Sequence, residues 1–386
     1  MLLQGIFPPI TTPFYPDGQV YYKKLEHNVE RFSRTPVAGI VVLGSTGEAL
    51  MLSDQERRDV LKVARQAAAP NKVLVAGTGI ESALETLRLT EYAAELGYEV
   101  AMVRTPHYYK KQMLPANILA FYRTVADRSP LPVIIYNFPQ ATGYDIPAEV
   151  VIELAEHPSL IGIKESSGDV AKVRRMVEAT RHIKRSATVT ETFDAVTPRM
   201  LASAAGASES AGELIPVGAL SRGANSDATD SHFSQQRREV GHPSSKMGNP
   251  SLEEGKPSSS AVTVVGKMKT RQKEVGFQVL VGAAQKLQAS LDAGAVGAIL
   301  AFACPAPTAC YEIYAAWKEG DAELAALKQE RISKAAQRVG SEMGIPGLKY
   351  AMDFNGYYGG PARLPFLPLT AALKQEVEQL MADIRN

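Results

Sequence analysis

Eight short apolar runs, separated by stretches of helical periodicity, constrain this chain more than any other feature. They are Gly5 to Thr11, Gly39 to Leu43, Val73 to Ala76, Val100 to Val103, Val133 to Tyr136, Leu160 to Ile163, Phe277 to Val281 and Gly297 to Ala301. Runs of this length read as strands, and the alternation reads as repeated β-α units. Between them the pattern predicts helices over Ser53 to Ala69, opened by a Ser53-x-x-Glu56 capping box, over Glu81 to Leu96, and over Ala148 to Glu156 after Pro147. Eight strands with intervening helices in about 310 residues predict a (β/α)8 barrel of the TIM type, class α/β. An open doubly wound sheet is the other candidate. Its dinucleotide-binding form needs a Gly-x-Gly-x-x-Gly turn after the first strand, and none is there.

One unit breaks the rhythm, because over a hundred residues separate the sixth and seventh runs, Leu160 to Ile163 and Phe277 to Val281. The stretch from about Gly223 to Lys273 is rich in Ser, Gly, Pro, Gln, Lys and Arg and has no sustained periodicity. A long low-complexity insertion over about 184–275, poorly ordered, is therefore expected between strands six and seven. It would emerge at the N-terminal face of the barrel, as a tolerated surface loop or as a partner-binding segment. Beyond the eighth run the chain is largely helical, with amphipathic stretches at Asp321 to Val339 and Ala371 to Ile384. The domain reading is a catalytic barrel over 1–310, interrupted by the insertion, and a C-terminal helical region over 311–386.

The formal net charge of +1, from 42 basic and 41 acidic residues, creates no global field for a polyanion. Nucleic acid and anionic membrane are thus not expected partners, and small-molecule chemistry is. Cys304 and Cys310 have neither zinc-site spacing nor the density of a secreted disulfide scaffold, so a cytoplasmic location is expected. The six histidines are scattered without a His-x-x-x-His pair, so no metal centre is expected. No apolar run is long enough to span a bilayer, and since the opening residues enter the first apolar run at once, no signal or transit peptide is expected.

Chemistry concentrates at the ends of the strands, which in such a barrel converge on one mouth. Lys164 ends the sixth run, in Gly162-Ile163-Lys164-Glu165-Ser166. A lysine held among apolar strands is disfavoured in its charged form, and its free amine can attack a carbonyl. Lys164 is therefore a Schiff-base candidate, although strand-end lysines also snorkel to solvent. After strand two, the hydroxyls and turn amides of Gly44-Ser45-Thr46-Gly47-Glu48 could hold a carboxylate, or form only a turn. Thr105-Pro106-His107-Tyr108-Tyr109 offers phenols after strand four, for the mouth or for packing. Strand five ends in Tyr136-Asn137-Phe138-Pro139, whose phenol could move protons or line the barrel.

Together these four segments resemble the dihydrodipicolinate synthase and N-acetylneuraminate lyase family of pyruvate-dependent class I aldolases, over about 1–183 and 276–386. Gly344-Ile345-Pro346-Gly347-Leu348-Lys349 and the run from Asn355 to Pro365 fit the same family. They most resemble its 4-hydroxy-2-oxoglutarate aldolase branch and are expected to pack the tail rather than take part in chemistry. The resemblance implies that Lys164 forms an imine with pyruvate or another 2-oxo acid, and that Tyr136 shuttles protons. It implies that Ser45 and Thr46, with Gly44, bind the pyruvate carboxylate and link Tyr136 to Tyr109, a residue often contributed across a subunit interface. Gly282 and Ile299 match positions against the substrate, and Ser166 matches a small polar residue at the mouth. No cofactor is implied, and a homotetramer assembled from dimers is.

The sequence departs from the family at one informative place. True dihydrodipicolinate synthases carry Tyr-Asn-x-Pro-x-Arg-Thr-Gly, whereas this chain has Ala141 in place of the arginine. Alanine cannot supply a bidentate guanidinium to a second substrate's carboxylate. Cleavage of 4-hydroxy-2-oxoglutarate to pyruvate and glyoxylate is thus the expected reaction. Condensation of pyruvate with aspartate semialdehyde by a 4-hydroxy-tetrahydrodipicolinate synthase is the alternative, with Arg104 or Lys110 as other sources of charge. A catalytically silent paralogue that binds a 2-oxo acid or a partner is the third reading.

Overall fold

The computed structural model describes residues 1–190 and 270–384. Its strands are β1 (Gly5–Phe7), β2 (Gly39–Val42), β3 (Val73–Gly77), β4 (Val100–Arg104), β5 (Val133–Asn137), β6 (Leu160–Glu165), β7 (Arg185–Thr190), β8 (Thr270–Val275), β9 (Gln278–Val281) and β10 (Gly297–Ile299). All eight apolar runs are strands, and they pair in parallel in the order β1-β10-β9-β6-β5-β4-β3-β2. The segment after β1 closes the ring: Ile10 N–H donates to Val41 O, and Val41 N–H to Pro8 O, each at 3.0 Å. The fold is the (β/α)8 barrel that the alternation predicts.

Each of the eight barrel strands is buried on both faces. One face fills the barrel with Phe7, Val41, Val75, Met102, Ile134 and Ile299, and the other packs against the helices. Helix boundaries fall within a few residues of expectation, at Asp54–Ala67, Ala83–Glu95 and Ala148–Ala155. The capping box at Ser53 is complete: its hydroxyl accepts from Glu56 N–H at 3.2 Å, and its own N–H donates to the Glu56 carboxylate at 2.8 Å. The tail folds as helices Pro307–Lys318, Ala322–Ala335, Gly344–Phe354 and Ala371–Met381, with a π-helical segment over Ala336–Glu342. The first of these runs across position 310. No helix among the described residues is long and apolar enough to cross a membrane.

The ends of the expected insertion are regular rather than low in structure. β7 and β8 form an antiparallel ribbon, with Arg185 opposite Val275 and Thr190 opposite Thr270. Its root lies where strands begin. The Arg185 guanidinium donates to the carbonyls of Leu160 at 2.8 Å and Ala155 at 2.6 Å, and Lys273 reaches Gln4 at 3.0 Å. This is the N-terminal face, opposite Lys164. The remaining residues expected in the insertion, 191–269, lie outside the described residues.

Candidate active site

Tyr136 and Lys164 occupy paired positions on β5 and β6, one residue before the strands end. Strand alternation turns both side chains inward. Lys164 is buried, and its Nζ lies 4.0 Å from the centroid of the Tyr136 ring. The Tyr136 phenol lies 3.2 Å from Ser45 Oγ, joining the end of β5 to the turn after β2. That turn is a 3-10 segment, Ser45–Gly47, entered from Gly44 in extended conformation. Thr46 is buried beside it. Gly44, Ser45, Thr46, Tyr136 and Lys164 are thus brought to one side of the mouth. Ile299 belongs to the apolar cluster inside the barrel that also contains Tyr136, Met102 and Leu280, and so forms part of the floor.

Ser166 and Gly282 meet at the ends of β6 and β9. Gly282 N–H donates to Glu165 O at 2.8 Å, and a Cβ on Gly282 would stand 2.0 Å from Ser166 Oγ. Only glycine leaves that hydroxyl its place. Ser166 Oγ is itself buried with no hydrogen-bond partner among the described residues.

Tyr109 is not brought to this group. It is 63% exposed and stacks edge-on against Tyr108, with ring centroids 5.1 Å apart. Its loop is fastened beneath the two phenols. The Glu81 carboxylate accepts from His107 N–H at 3.0 Å and Tyr108 N–H at 3.1 Å, and lies 2.7 Å from His107 Nδ1. Burial pushes the His107 pKa down in spite of that carboxylate. Arg104 is committed to Gly79 O and to Glu81. Lys110 lies against the turn that carries Ala141, since a Cβ on Gly143 would be 2.9 Å from Lys110 Nζ.

Two groups of residues were missed by sequence reasoning. Asn137 and Glu165 follow Tyr136 and Lys164 and therefore point outward. There Asn137 Nδ2 donates to Glu165 at 2.9 Å and to Asp145 at 2.7 Å, while Lys172 pairs with Glu165 at 3.2 Å. This network locks the two strand ends in register, and strand alternation was the signal that could have found it. The second group is Glu48 with Lys349, an ion pair of 2.6 Å that is fully buried. Among the described residues no group of three or more His, Cys, Asp or Glu side chains is arranged to hold a metal.

A closed parallel barrel with a buried lysine at the end of its sixth strand, laid against a tyrosine that a serine hydroxyl engages, defines a lysine-centred (β/α)8 protein. The chain belongs to the dihydrodipicolinate synthetase family, whose model matches residues 2–239 and 256–384. It is 36% identical over 180 residues to a 4-hydroxy-tetrahydrodipicolinate synthase of Methanosarcina barkeri, which is 46% of this chain and 60% of that protein. A synthase of the same name from an Exiguobacterium species is 36% identical over 188 residues, 49% of this chain and 62% of the relative. The chain thus spans about 60% of the length of the curated relatives it matches. These relatives carry the synthase name, not that of the 4-hydroxy-2-oxoglutarate aldolase branch favoured by the sequence resemblance.

Among solved structures, the dihydrodipicolinate synthase of Acinetobacter baumannii complexed with pyruvate superposes with a TM-score of 0.71 at 23% identity, covering 99% of each chain. A prophage protein of the same family from E. coli K12, also in complex with pyruvate, gives 0.70 at 22%, covering 100% of this chain and 99% of the other. At these identities the likeness establishes the fold.

Proposed function

We propose that this protein is a class I aldolase or lyase that binds pyruvate as an imine on Lys164. The observation that carries the reading is the pairing of Lys164 Nζ with the Tyr136 ring at 4.0 Å while the Tyr136 phenol meets Ser45 Oγ at 3.2 Å. The amine adds to the keto carbon and water leaves, with Tyr136 passing the protons. The turn over Gly44, Ser45 and Thr46 holds the carboxylate, and Ser166 faces the reacting end. The protonated imine then accepts electrons from the adjacent carbon, so a bond to an aldehyde carbon can form or break through an enamine. Pyruvate as the substrate is supported by the pyruvate complexes of the two structural neighbours. The exposed phenols of Tyr108 and Tyr109 support a homo-oligomer, a dimer of dimers by family analogy, in which a second subunit covers the loop.

Borohydride added with pyruvate, followed by peptide mass spectrometry, is expected to leave a reduced pyruvyl adduct on Lys164. A folded protein that gives no adduct at any pyruvate concentration would remove the imine reading and return the silent paralogue.

For the second substrate, the names of the curated relatives support 4-hydroxy-tetrahydrodipicolinate synthase, which condenses pyruvate with aspartate semialdehyde. The Lys110 amine beside the Ala141 turn supports that reading as a source of positive charge. Ala141 itself favours the second reading, cleavage of 4-hydroxy-2-oxoglutarate. Growth of a diaminopimelate-requiring strain carrying this gene selects the first, and pyruvate released from 4-hydroxy-2-oxoglutarate selects the second. Either reaction is expected to suffer in Gly282→Ala. The added methyl displaces Ser166 Oγ by about an ångström, which is expected to lower kcat/KM roughly ten- to a hundredfold. Steady-state kinetics on the folded variant check this, and an unchanged kcat/KM would take Ser166 out of the site.

A further inference from the structure

Among the described residues only two other than glycine have positive φ, Leu43 at 62° and Glu48 at 54°. They bracket Gly44 to Gly47, the segment that presents Ser45 to Tyr136. Left-handed backbone is disfavoured for a residue with a Cβ, and it persists where the surroundings over-determine it.

The contacts of Glu48 show what does so. Its buried carboxylate lies 2.6 Å from Lys349 Nζ and accepts from the Arg363 backbone N–H at 2.8 Å. Lys349 also donates to the carbonyls of Thr12 and Pro361, each at 2.8 Å. One ammonium therefore ties together the segment after β1, the turn after β2 and the strap that follows helix Gly344–Phe354. From the other side the Thr12 hydroxyl donates to Gly47 O at 2.6 Å. The strap is fastened in turn by the Arg363 guanidinium, which donates to the Glu56 carboxylate and to Met51 O at 2.7 Å. The Lys349 ammonium, the Arg363 backbone N–H and the Thr12 hydroxyl thus converge on the turn that carries Ser45 and Thr46.

We infer that Lys349, acting through Glu48, is a positioning residue for this turn. The buried ion pair holds Ser45 and Thr46 in the strained geometry that receives the substrate carboxylate, and it makes the C-terminal helical region part of the site. The catalytic consequence rests on the imine reading; the clamp itself is conformational and is readable without turnover.

The test compares Glu48→Ala with Glu48→Gln. The first readout is amide hydrogen exchange of the peptide over 43–51, and the second is the pyruvate concentration that half-saturates borohydride trapping. In E48A the peptide is expected to exchange at least about tenfold faster while peptides of β4 to β6 keep their protection. Half-saturating pyruvate is expected to rise about tenfold, with the maximal extent of trapping retained. E48Q keeps an acceptor for the Arg363 N–H but leaves the Lys349 ammonium buried without its carboxylate, so it is expected to recover only part of both values, whereas E48Q combined with Lys349→Met is expected to return them to within about threefold of the parent.

Unchanged protection of 43–51 in folded E48A would overturn the inference, and so would an equal loss of protection throughout the barrel. If E48A does not fold, Arg363→Ala decides by the same readouts: a rise of about threefold supports the clamp, and parental values overturn it. A parent protein that yields no adduct removes the imine reading alone, because hydrogen exchange still decides the clamp.

Discussion

Lys164→Met is expected to keep the barrel folded, to abolish the trapped pyruvyl adduct, and to lower turnover by more than about a thousandfold. Methionine follows the path of the lysine stem with similar volume, so the buried site stays filled and stability is expected to change by less than about 1.5 kcal/mol. On the proposed reading Tyr136, Ser45 and Thr46 remain for the 2-oxo acid, but no imine is available to take up the electrons of the carbon that reacts. Trapping, peptide mass spectrometry and a thermal melt together check the outcome. The informative rival is Lys72, whose amine burial pushes down to about 8. It lies just before β3, at the opposite end of the barrel, 3% exposed, with its Nζ donating to Thr35 O at 2.7 Å and Val37 O at 2.8 Å. A depressed pKa without access or a carbonyl site confers no chemistry. An adduct that survives in K164M, with turnover intact, would overturn this assignment and shift the search to another amine.

The barrel was legible because a strand buried on both faces has no polar positions to disguise it, and all eight apolar runs became strands. The inward residues of the site were legible for a related reason: Tyr136 and Lys164 sit at strand ends, and topology alone sends strand ends to one mouth. The ribbon of β7 and β8 was not. Its buried face is little more than Ala187 and Val189 with Val275 packed beside them, too short an apolar pattern to stand out against Arg, Gln, Lys and Glu. Tyr109 shows another limit, since a motif can put a phenol on the right loop without turning its side chain toward the site of the same chain. The Glu48–Lys349 pair shows the widest gap. A charge on a turn and a charge in a distant helix have no periodicity in common, so their meeting is a product of the closed fold and invisible before it.

That pair carries the largest expected effect on stability. Lys349→Met leaves the Glu48 carboxylate buried without its ammonium, and breaking such a pair on one side costs about 3–5 kcal/mol. In a chain of this size the thermal midpoint is expected to fall roughly 4–6 °C. Removing both charges in Glu48→Gln with Lys349→Met is expected to restore most of the loss, because two neutral side chains leave no uncompensated ion.

The pH dependence has a definite sign. Burial holds the Lys349 pKa below the ordinary lysine value, with Glu48 pulling the other way. The unfolded chain therefore binds that proton more tightly, and the parent gains stability as pH rises from the folded pKa toward the unfolded one. Methionine has no such gain, so the gap between parent and K349M is expected to widen through that alkaline interval. Denaturant melts of the parent, both single variants and the double variant at neutral and alkaline pH measure every term. A single variant as stable as the parent would mean that Glu48 finds another partner, and the tail would then pack on the barrel without holding the turn that carries Ser45.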